Sequence, residues 1–214
     1  MTTSHTPRWR TGLWIAAALL AGAVGLWTHQ RITGQALTLE VAALYPIHRP
    51  LPAFTLQDAE GHGFQREQLQ DHYSLVFFGY TQCPDVCPTT LLELNQVVRA
   101  LADLPARLQP SVVFVSVDPN RDTPTVLKNY VQHFNASFIG VSGNDTELTT
   151  LTRAVGALFA LSPSANGTYS VDHSASMFLI DPSAALLAVF PAPHAAHSIE
   201  ADYRRIVSTA GKTP

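Results

Sequence analysis

The sequence predicts an α/β domain built around a largely parallel sheet. Two continuous apolar runs, SLVFFGYT at 74–81 and SVVFVSVDP at 111–119, are typical of strands that are buried on both faces. Between them, residues 88–101 place apolar side chains at helical spacing. Strands that alternate with helices in this way build a layered domain in which helices pack on the sheet.

The other elements of the domain follow in chain order. The segment AFTLQDAEGHGFQ predicts two short strands around a turn that contains glycine. A helix is predicted over 123–134, because Thr123 can act as its N-cap and Pro124 suits its first position. The remaining predicted elements are a strand over 138–143, a helix over 145–160 that opens on acidic residues, two strands joined at the DPS turn within TYSVDHSASMFLIDPSAALLAVFP, and a closing helix over 197–210.

The charges divide the chain into a basic head and an acidic body. Residues 1–50 carry four arginines against one glutamate, whereas residues 51–214 carry nine basic and fifteen acidic side chains. The net charge of −3 gives no indication of a nucleic-acid partner. With 46% hydrophobic and 14% charged residues, the chain has enough apolar side chains for a packed core.

The head contains a candidate membrane anchor. The run from Thr11 to Gln30 has no formal charge and lies between Arg10 and Arg31, and all three tryptophans lie in it or beside it. A helix of about twenty residues spans about 30 Å, the thickness of a bilayer core. Because basic residues favour the cytoplasmic side, we expect a single-pass anchor in the bacterial inner membrane, with the rest of the chain facing the periplasm or the cell exterior. A cleaved signal peptide, with AGA at 21–23 as a weak cleavage site, is the alternative. A buried core helix fits poorly, because the run lacks a polar face.

These observations predict three segments. We expect a transmembrane anchor at 1–30, a linker at 31–50 and a folded domain at 51–214. The linker is weakly patterned and runs into YPIHRPLP, whose prolines oppose a continuous helix.

The only two cysteines of the chain lie four residues apart in GYTQCPDVCPTT. Cys83 follows a predicted buried strand and Cys87 opens a predicted helix, and the crevice beyond such a strand is the usual ligand site of an open α/β sheet. Both sulfurs can reach one metal ion or each other, and the helix N-terminus is expected to lower a thiol pKa. Outside the cytoplasm the pair can also persist as a reversible disulfide. A purely structural disulfide across so short a loop would restrain little of the chain.

A third candidate ligand is His173, at the start of an apolar strand. It could point into the same crevice, although a single histidine in such a place is more often a satisfied buried or edge residue. Thiolates select Cu(I), zinc or iron–sulfur clusters, and imidazole suits copper and zinc. Two cysteines and one histidine without a fourth ligand are closer to a trigonal copper site than to a closed zinc site. His194 and His197 also have a chelating spacing, but such a pair is more often solvated surface.

Three motifs together give the sequence a family resemblance. LVFFGYTQCPDVCPTTL, VSVDPNRDTP and VDHSASMFLIDP occur in the order seen in the Sco/SenC family of copper-binding cytochrome oxidase assembly proteins. The sequence resembles that family over residues 50–210, and a preceding membrane anchor is typical of it as well. The resemblance implies a thioredoxin-like fold, with a central mixed sheet flanked by helices, and copper ligands at Cys83, Cys87 and His173.

The same resemblance extends to residues around the ligands. DPNRDTP matches the family's DPxRDTP loop, which implies that Asp118, Arg121 and Asp122 order the crevice rather than bind metal. Asp172 matches an aspartate of the histidine motif. The turn DPSAALL departs from the family because it lacks the glycine that usually follows the aspartate–proline pair.

The resemblance implies a copper metallochaperone. Such a protein would hold Cu(I) or Cu(II), receive it from an upstream copper donor and pass it to the copper-centre subunit of a terminal cytochrome oxidase. The alternative is a thiol–disulfide oxidoreductase that reduces the copper-ligand cysteines of that client. It needs only Cys83 and Cys87, whereas copper binding also needs His173. A peroxidase-like or redox-signalling enzyme is disfavoured, because it requires one low-pKa cysteine beside a base.

Overall fold

The computed structural model describes residues 17–27, 37–163 and 169–210. The chain divides into two compact units, Met1–Thr38 and Leu39–Pro214. In the first unit residues 17–27 are helical, and the expected anchor at 11–30 extends on both sides into residues outside the described ranges. Within the described ranges, no helix is both long enough and apolar enough to span a bilayer.

The second unit is organised around a mixed sheet. Its strands are β1 (Ala43–Pro50), β2 (Thr55–Asp58), β3 (Gly63–Gln65), β4 (Ser74–Gly79), β5 (Ser111–Ser116), β6 (Ile139–Ser142), β7 (Phe159–Pro163), β8 (Tyr169–His173), β9 (Met177–Ile180) and β10 (Ala185–Phe190). Eight of them form one sheet in the order β1-β10-β9-β4-β5-β6-β2-β3, while β7 and β8 form a separate antiparallel hairpin. The central strands β4, β5 and β6 are parallel, and the strands on either side of them pair antiparallel.

Helices cover both faces of the sheet. They are α1 (Val86–Ala100), α2 (Pro124–Phe134), α3 (Asp145–Val155) and α4 (Ala196–Ala210). Helix α1 packs against α2 and α4. On β4, Val76 and Phe78 join Leu148 of α3 in one hydrophobic cluster, whereas Phe77 contacts Phe114 with ring centroids 6.1 Å apart. Alternate side chains of β4 therefore reach opposite faces, and the central mixed sheet flanked by helices that the family resemblance implied is confirmed. The largely parallel sheet predicted from the alternation of strands and helices is wrong, because only the β4–β5 and β5–β6 pairs are parallel, whereas the other five pairs of the main sheet are antiparallel.

The two central strands end at the same edge of the sheet. Gly79, the last residue of β4, pairs with Ser116, the last residue of β5. The cysteine loop follows β4 and the DPNRDTP loop follows β5, so the two loops lie side by side at the carboxyl ends of parallel strands. This is the position at which open α/β sheets bind ligands.

The predicted helix over 145–160 is shorter in the structure. It ends at Val155, because Gly156 takes a left-handed conformation with φ of +81° and closes the helix. The chain then enters β7 at Phe159. The apolar residues that follow the glycine therefore belong to a strand and do not continue the helix.

The last apolar stretch, predicted as two strands, forms three. The chain leaves the hairpin after His173 and enters the main sheet as β9 at Met177. Ser174 marks the change of sheet, since its N–H donates to the Leu158 carbonyl at 2.9 Å. In the DPS turn, which lacks the glycine, Ala184 takes the left-handed conformation with φ of +57°, and the Asp181 carboxylate accepts the Ser183 N–H at 2.8 Å.

Residues 43–50, which we assigned to the linker, form the edge strand β1 on β10. Prolines are compatible with an edge strand, because its open side needs no N–H donor. Just before β1, the N–H groups of Glu40, Val41 and Ala42 donate to the Asp202 carboxylate at 2.8–2.9 Å. The compact unit thus begins at Leu39 rather than near residue 51.

Candidate metal centre

The two cysteines lie where the loop after β4 enters α1. Cys83 is in the turn, where its N–H donates to the Tyr80 carbonyl at 3.2 Å, and Cys87 is the second residue of α1. Cys87 is fully buried and Cys83 is partly exposed, and both are free thiols in this structure. The predicted reversible disulfide stays a prediction.

Asp122 fixes the start of the cysteine loop. The Thr81 N–H donates to Asp122 Oδ2 at 2.9 Å, and the Thr81 hydroxyl donates to Oδ1 at 2.6 Å. Ser116 also donates its hydroxyl to Oδ2, at 2.5 Å. Because these bonds engage both oxygens of a carboxylate that is 2% exposed, Asp122 orders the crevice and is not placed to bind metal.

Gly79 gives the Cys87 sulfur its place. A Cβ atom added at Gly79 would lie 2.7 Å from Cys87 Sγ and 2.9 Å from Cε2 of Phe114. Both distances are shorter than any ordinary contact of carbon with sulfur or carbon. Sequence reasoning missed this residue, although the glycine that ends the run LVFF is a signal of close backbone approach.

His173 ends β8 and faces the cysteines. Its ring packs edge-on against Phe77 and Tyr80, with centroid separations of 6.1 and 5.9 Å. Its Nε2 lies 3.3 Å from Cys87 Sγ. The aromatic walls come from β4 and the residue after it, so the strand that leads into the cysteine loop also confines the histidine.

The other ring nitrogen of His173 sets the tautomer. Nδ1 lies 3.1 Å from the Ser174 carbonyl oxygen, which can only accept a hydrogen bond. Nδ1 therefore carries the proton and Nε2 presents its lone pair toward Cys87. This is the form in which imidazole binds a metal.

Burial sets the protonation of this pair. It raises the pKa of the Cys87 thiol far above its usual range, with further contributions from the neighbouring Cys83 and Asp122. Burial also lowers the pKa of His173, against weaker opposing effects of the Ser174 carbonyl and of Asp172. We expected the helix N-terminus to lower the thiol pKa; for Cys87 desolvation outweighs the helix dipole. Without metal, Cys87 is a thiol that can donate to a neutral His173.

The structure brings the three predicted ligands together. The ligand atoms of Cys83, Cys87 and His173 all lie within 4.8 Å of one another, and within the described ranges this is the only group of three or more such side chains that could hold a metal ion. Two soft sulfur donors with one imidazole suit copper. The arrangement leaves no fourth protein ligand within the group, so a metal ion held there would keep an open position.

Other residues singled out from the sequence lie outside the centre. Asp172 points away from the His173 side of β8, is exposed, and accepts a hydrogen bond from the Ser162 hydroxyl. His194 Nε2 lies 2.6 Å from the Ala175 carbonyl oxygen. His197 is exposed. Neither of these two histidines joins a metal-binding group in the part of the chain that the structure describes.

Comparison with known proteins agrees with this geometry. The profile of the SCO1/SenC family matches residues 48–208. The chain belongs to the SCO1/SenC family. It is 40% identical over 152 residues to a Stutzerimonas stutzeri protein named as a candidate copper-binding protein, and the alignment covers 70% of this chain and 73% of the relative. It is 39% identical over 130 residues to a SCO2-like protein of Rickettsia prowazekii, and that alignment covers 60% of this chain and 62% of the relative.

A solved structure extends the SCO1/SenC comparison to the fold. ScoI of Bradyrhizobium japonicum with copper bound is 33% identical, with a TM-score of 0.65 over 73% of this chain and 98% of that one. This likeness confirms the thioredoxin-like fold that the sequence resemblance implied. The motif-bearing loops of this SCO1/SenC chain therefore lie on a scaffold shared with a copper-bound relative.

Proposed function

We propose that this SCO1/SenC protein binds copper through Cys83, Cys87 and His173 and passes it to the copper-centre subunit of a terminal cytochrome oxidase. The observation that carries the proposal is the convergence of the three donor atoms at the carboxyl ends of β4 and β5. Copper-bound ScoI, with the same fold, supports the choice of metal. The client and the upstream copper donor come from the family resemblance.

The site suits a transferable cargo. Copper would displace the Cys87 proton and take the lone pair of His173 Nε2, while Cys83 would supply the second sulfur. Because Cys83 is the partly exposed donor and Cys87 is buried, an incoming or departing copper ion would exchange ligands at Cys83 first. Cu(I) can be held by the two thiolates, whereas Cu(II) also benefits from the imidazole.

The test of the copper site is a titration of the full chain and its His173→Ala variant. The variant should bind Cu(II) at least about 10–100-fold more weakly and lose nitrogen coupling in the electron paramagnetic resonance spectrum. Its Cu(I) affinity should fall less, because both sulfurs remain. An unchanged spectrum and affinity in His173→Ala would show that the three-ligand site is wrong.

The thiol–disulfide oxidoreductase alternative has less support. Thiol exchange needs a reactive thiolate, whereas burial raises the pKa of the Cys87 thiol and so disfavours its thiolate. A redox dithiol needs only the two cysteines, whereas a histidine with Nε2 at 3.3 Å from the inner sulfur completes a copper donor set.

We further propose a single-pass anchor at 1–30, with the domain outside the cytoplasm at the bacterial inner membrane. Its support is the uncharged run at 11–30 between two arginines. The full chain should fractionate with the membrane. Protease that is then added to intact spheroplasts should digest the domain. A domain protected from external protease, or a mature chain that lacks residues 1–23, would contradict the anchor.

A further inference from the structure

The hairpin that carries His173 is joined to the DPNRDTP loop by three side chains. The Tyr169 hydroxyl donates to Asp118 Oδ1 at 2.8 Å. The Arg121 guanidinium lies over the Tyr169 ring, 3.8 Å from its centroid, and donates from Nη1 to the Tyr169 carbonyl at 2.9 Å. Arg121 also donates from Nε to Asp118, which is 1% exposed. Two hydrogen bonds and a cation–π contact thus converge on Tyr169 of β8, and the ion pair between Arg121 and Asp118 holds its two partners together.

Tyr169 and His173 share one face of β8. Side chains alternate along a strand, and burial follows that rule: Tyr169, Val171 and His173 are the enclosed positions, whereas Ser170 and Asp172 are exposed. Tyr169 is therefore the first, and His173 the last, of the side chains on this face of β8. A displacement of β8 that moved Tyr169 off Arg121 would carry His173 with it.

Arg121 also contacts the wall of the histidine pocket. Its guanidinium lies 5.5 Å from the centroid of the Tyr80 ring, and that ring packs edge-on against His173 at 5.9 Å. The Arg121 guanidinium therefore contacts the start of β8 directly, at Tyr169, and reaches the end of β8, at His173, through the Tyr80 ring. Strands β7 and β8 form a sheet of their own, so no ladder hydrogen bonds of the main sheet hold the hairpin.

We propose that Tyr169, held by Arg121 and Asp118, is a positioning residue that sets the distance of His173 from the two cysteines. This inference rests on the proposed function, because it assumes that His173 is a copper ligand. Tyr169 does not touch the metal; it acts through the hairpin. The cysteine loop is held by Asp122 and hydrogen-bonds to Arg121 only through a 3.4 Å contact of Nη1 with the exposed Gln82 side chain, so loosening Tyr169 should weaken the imidazole donor and leave the sulfur donors in place.

The test compares Tyr169→Leu with Tyr45→Leu in the full chain. Tyr45 is a matched control, because it is a partly buried tyrosine that packs against the same hydrophobic cluster from β1. Tyr169→Leu should weaken Cu(II) binding by about 10–100-fold, the range seen when a residue that orients a ligand is lost. Its electron paramagnetic resonance spectrum should lose nitrogen coupling, and its Cu(I) affinity should change less. Tyr45→Leu should keep the wild-type spectrum.

Tyr169→Phe tests rescue. It keeps the ring under Arg121 and removes only the hydroxyl bond to Asp118, so most of the wild-type spectrum should return. Should Tyr169→Leu fail to fold, Arg121→Lys decides, because lysine keeps the charge but lacks the flat guanidinium; it should show the same loss of nitrogen coupling.

The outcomes separate the two proposals. A wild-type spectrum and affinity in folded Tyr169→Leu, or in Arg121→Lys where the leucine variant does not fold, would overturn the positioning role while His173→Ala still loses Cu(II). A wild-type spectrum in His173→Ala would instead overturn the copper site itself. Equal losses in Tyr169→Leu and Tyr45→Leu would mean that general loosening of the core causes the effect, which also overturns the positioning role.

Discussion

Gly79 shows how closely the residues of the metal centre approach one another. Its backbone lies against two buried groups, the Cys87 sulfur and the Phe114 ring, and any side chain would intrude on both. Packed interiors relax poorly around added volume. The absence of a side chain at Gly79 therefore supports both the packing of the core and the position of the Cys87 sulfur.

Gly79→Ala should disturb stability and copper binding together. Overpacking of this kind costs about 1–3 kcal/mol in free energy of unfolding, and a displaced Cys87 should weaken Cu(I) and Cu(II) alike. Thermal unfolding by circular dichroism and copper titration measure the two effects. Gly63→Ala is the control, because a Cβ there meets no atom within 4 Å. Equal behaviour of the two variants would argue against a special role for Gly79.

Copper affinity should rise with pH. Burial raises the pKa of the Cys87 thiol, so copper must displace its proton, and each proton released steepens the dependence by about tenfold per pH unit. Burial lowers the pKa of His173 below 6.5, so the imidazole is already neutral at pH 7 and adds nothing to the slope there. Competition titrations for Cu(I) at about pH 6, 7 and 8 measure this dependence of copper affinity on pH. The slope should survive in His173→Ala and decrease in Cys87→Ser; a flat wild-type profile would contradict this account.

At the scale of elements, the end of α3 determines where the hairpin begins. Gly156 holds a left-handed conformation that L side chains adopt at a cost of about 1–2 kcal/mol. A Cβ there would meet only the Tyr45 hydroxyl at 4.0 Å, so the strain comes from the backbone alone. Gly156→Ala should therefore lower the free energy of unfolding by about 1 kcal/mol, measured by urea denaturation. No loss relative to Gly63→Ala would mean that the helix can end without this conformation.

The elements with strong local signals were predictable from the sequence. The N-cap of α2 is one example, since the Thr123 side chain accepts the Val126 N–H as expected. Strand β7 was not predictable, because its residues continue an apolar pattern and become a strand only by pairing with β8. The edge strand β1 was hidden for a similar reason: its partner β10 lies at the other end of the domain.

At the scale of the whole molecule, the start of the folded unit can be tested by truncation. A chain that begins at Leu39 keeps the N–H donors to Asp202, whereas one that begins at residue 46 loses them. We expect both to fold, with the shorter chain less stable by about 3 kcal/mol, since the buried Asp202 carboxylate loses its three backbone donors and keeps only Arg205. Both lack every tryptophan, so denaturation is followed by circular dichroism.

The same comparison has a pH dependence. Burial acts to raise the pKa of Asp202, but the backbone donors of Ala42, Val41 and Glu40 outweigh it and lower the pKa below 3.8. A lowered carboxyl pKa contributes stability above the unfolded value of about 3.9, and this is lost as pH falls through the folded value. The difference between the two chains should therefore narrow below about pH 4. Equal denaturation midpoints at pH 7 would contradict the role given to Asp202.

The candidate ligands could be named from the sequence, whereas the residues around them could not. Cys83, Cys87 and His173 are chemically distinctive and lie in motifs. Gly79 and Tyr169 have no distinctive chemistry, and their roles follow from contacts that only the fold creates. The tyrosine, for instance, meets an aspartate 51 positions earlier in the chain.

The sequence distance between the donors also fixes when the complete site can exist. Cys83 and Cys87 are neighbours in any conformation of the chain, but Cys87 and His173 are 86 positions apart and meet only across the finished sheet. A newly synthesised, still unfolded chain would thus offer a copper ion a dithiol and nothing more. Any ion that requires all three donors would bind only the folded chain and would stabilise it by mass action. Binding of such an ion would then indicate that the chain has finished folding.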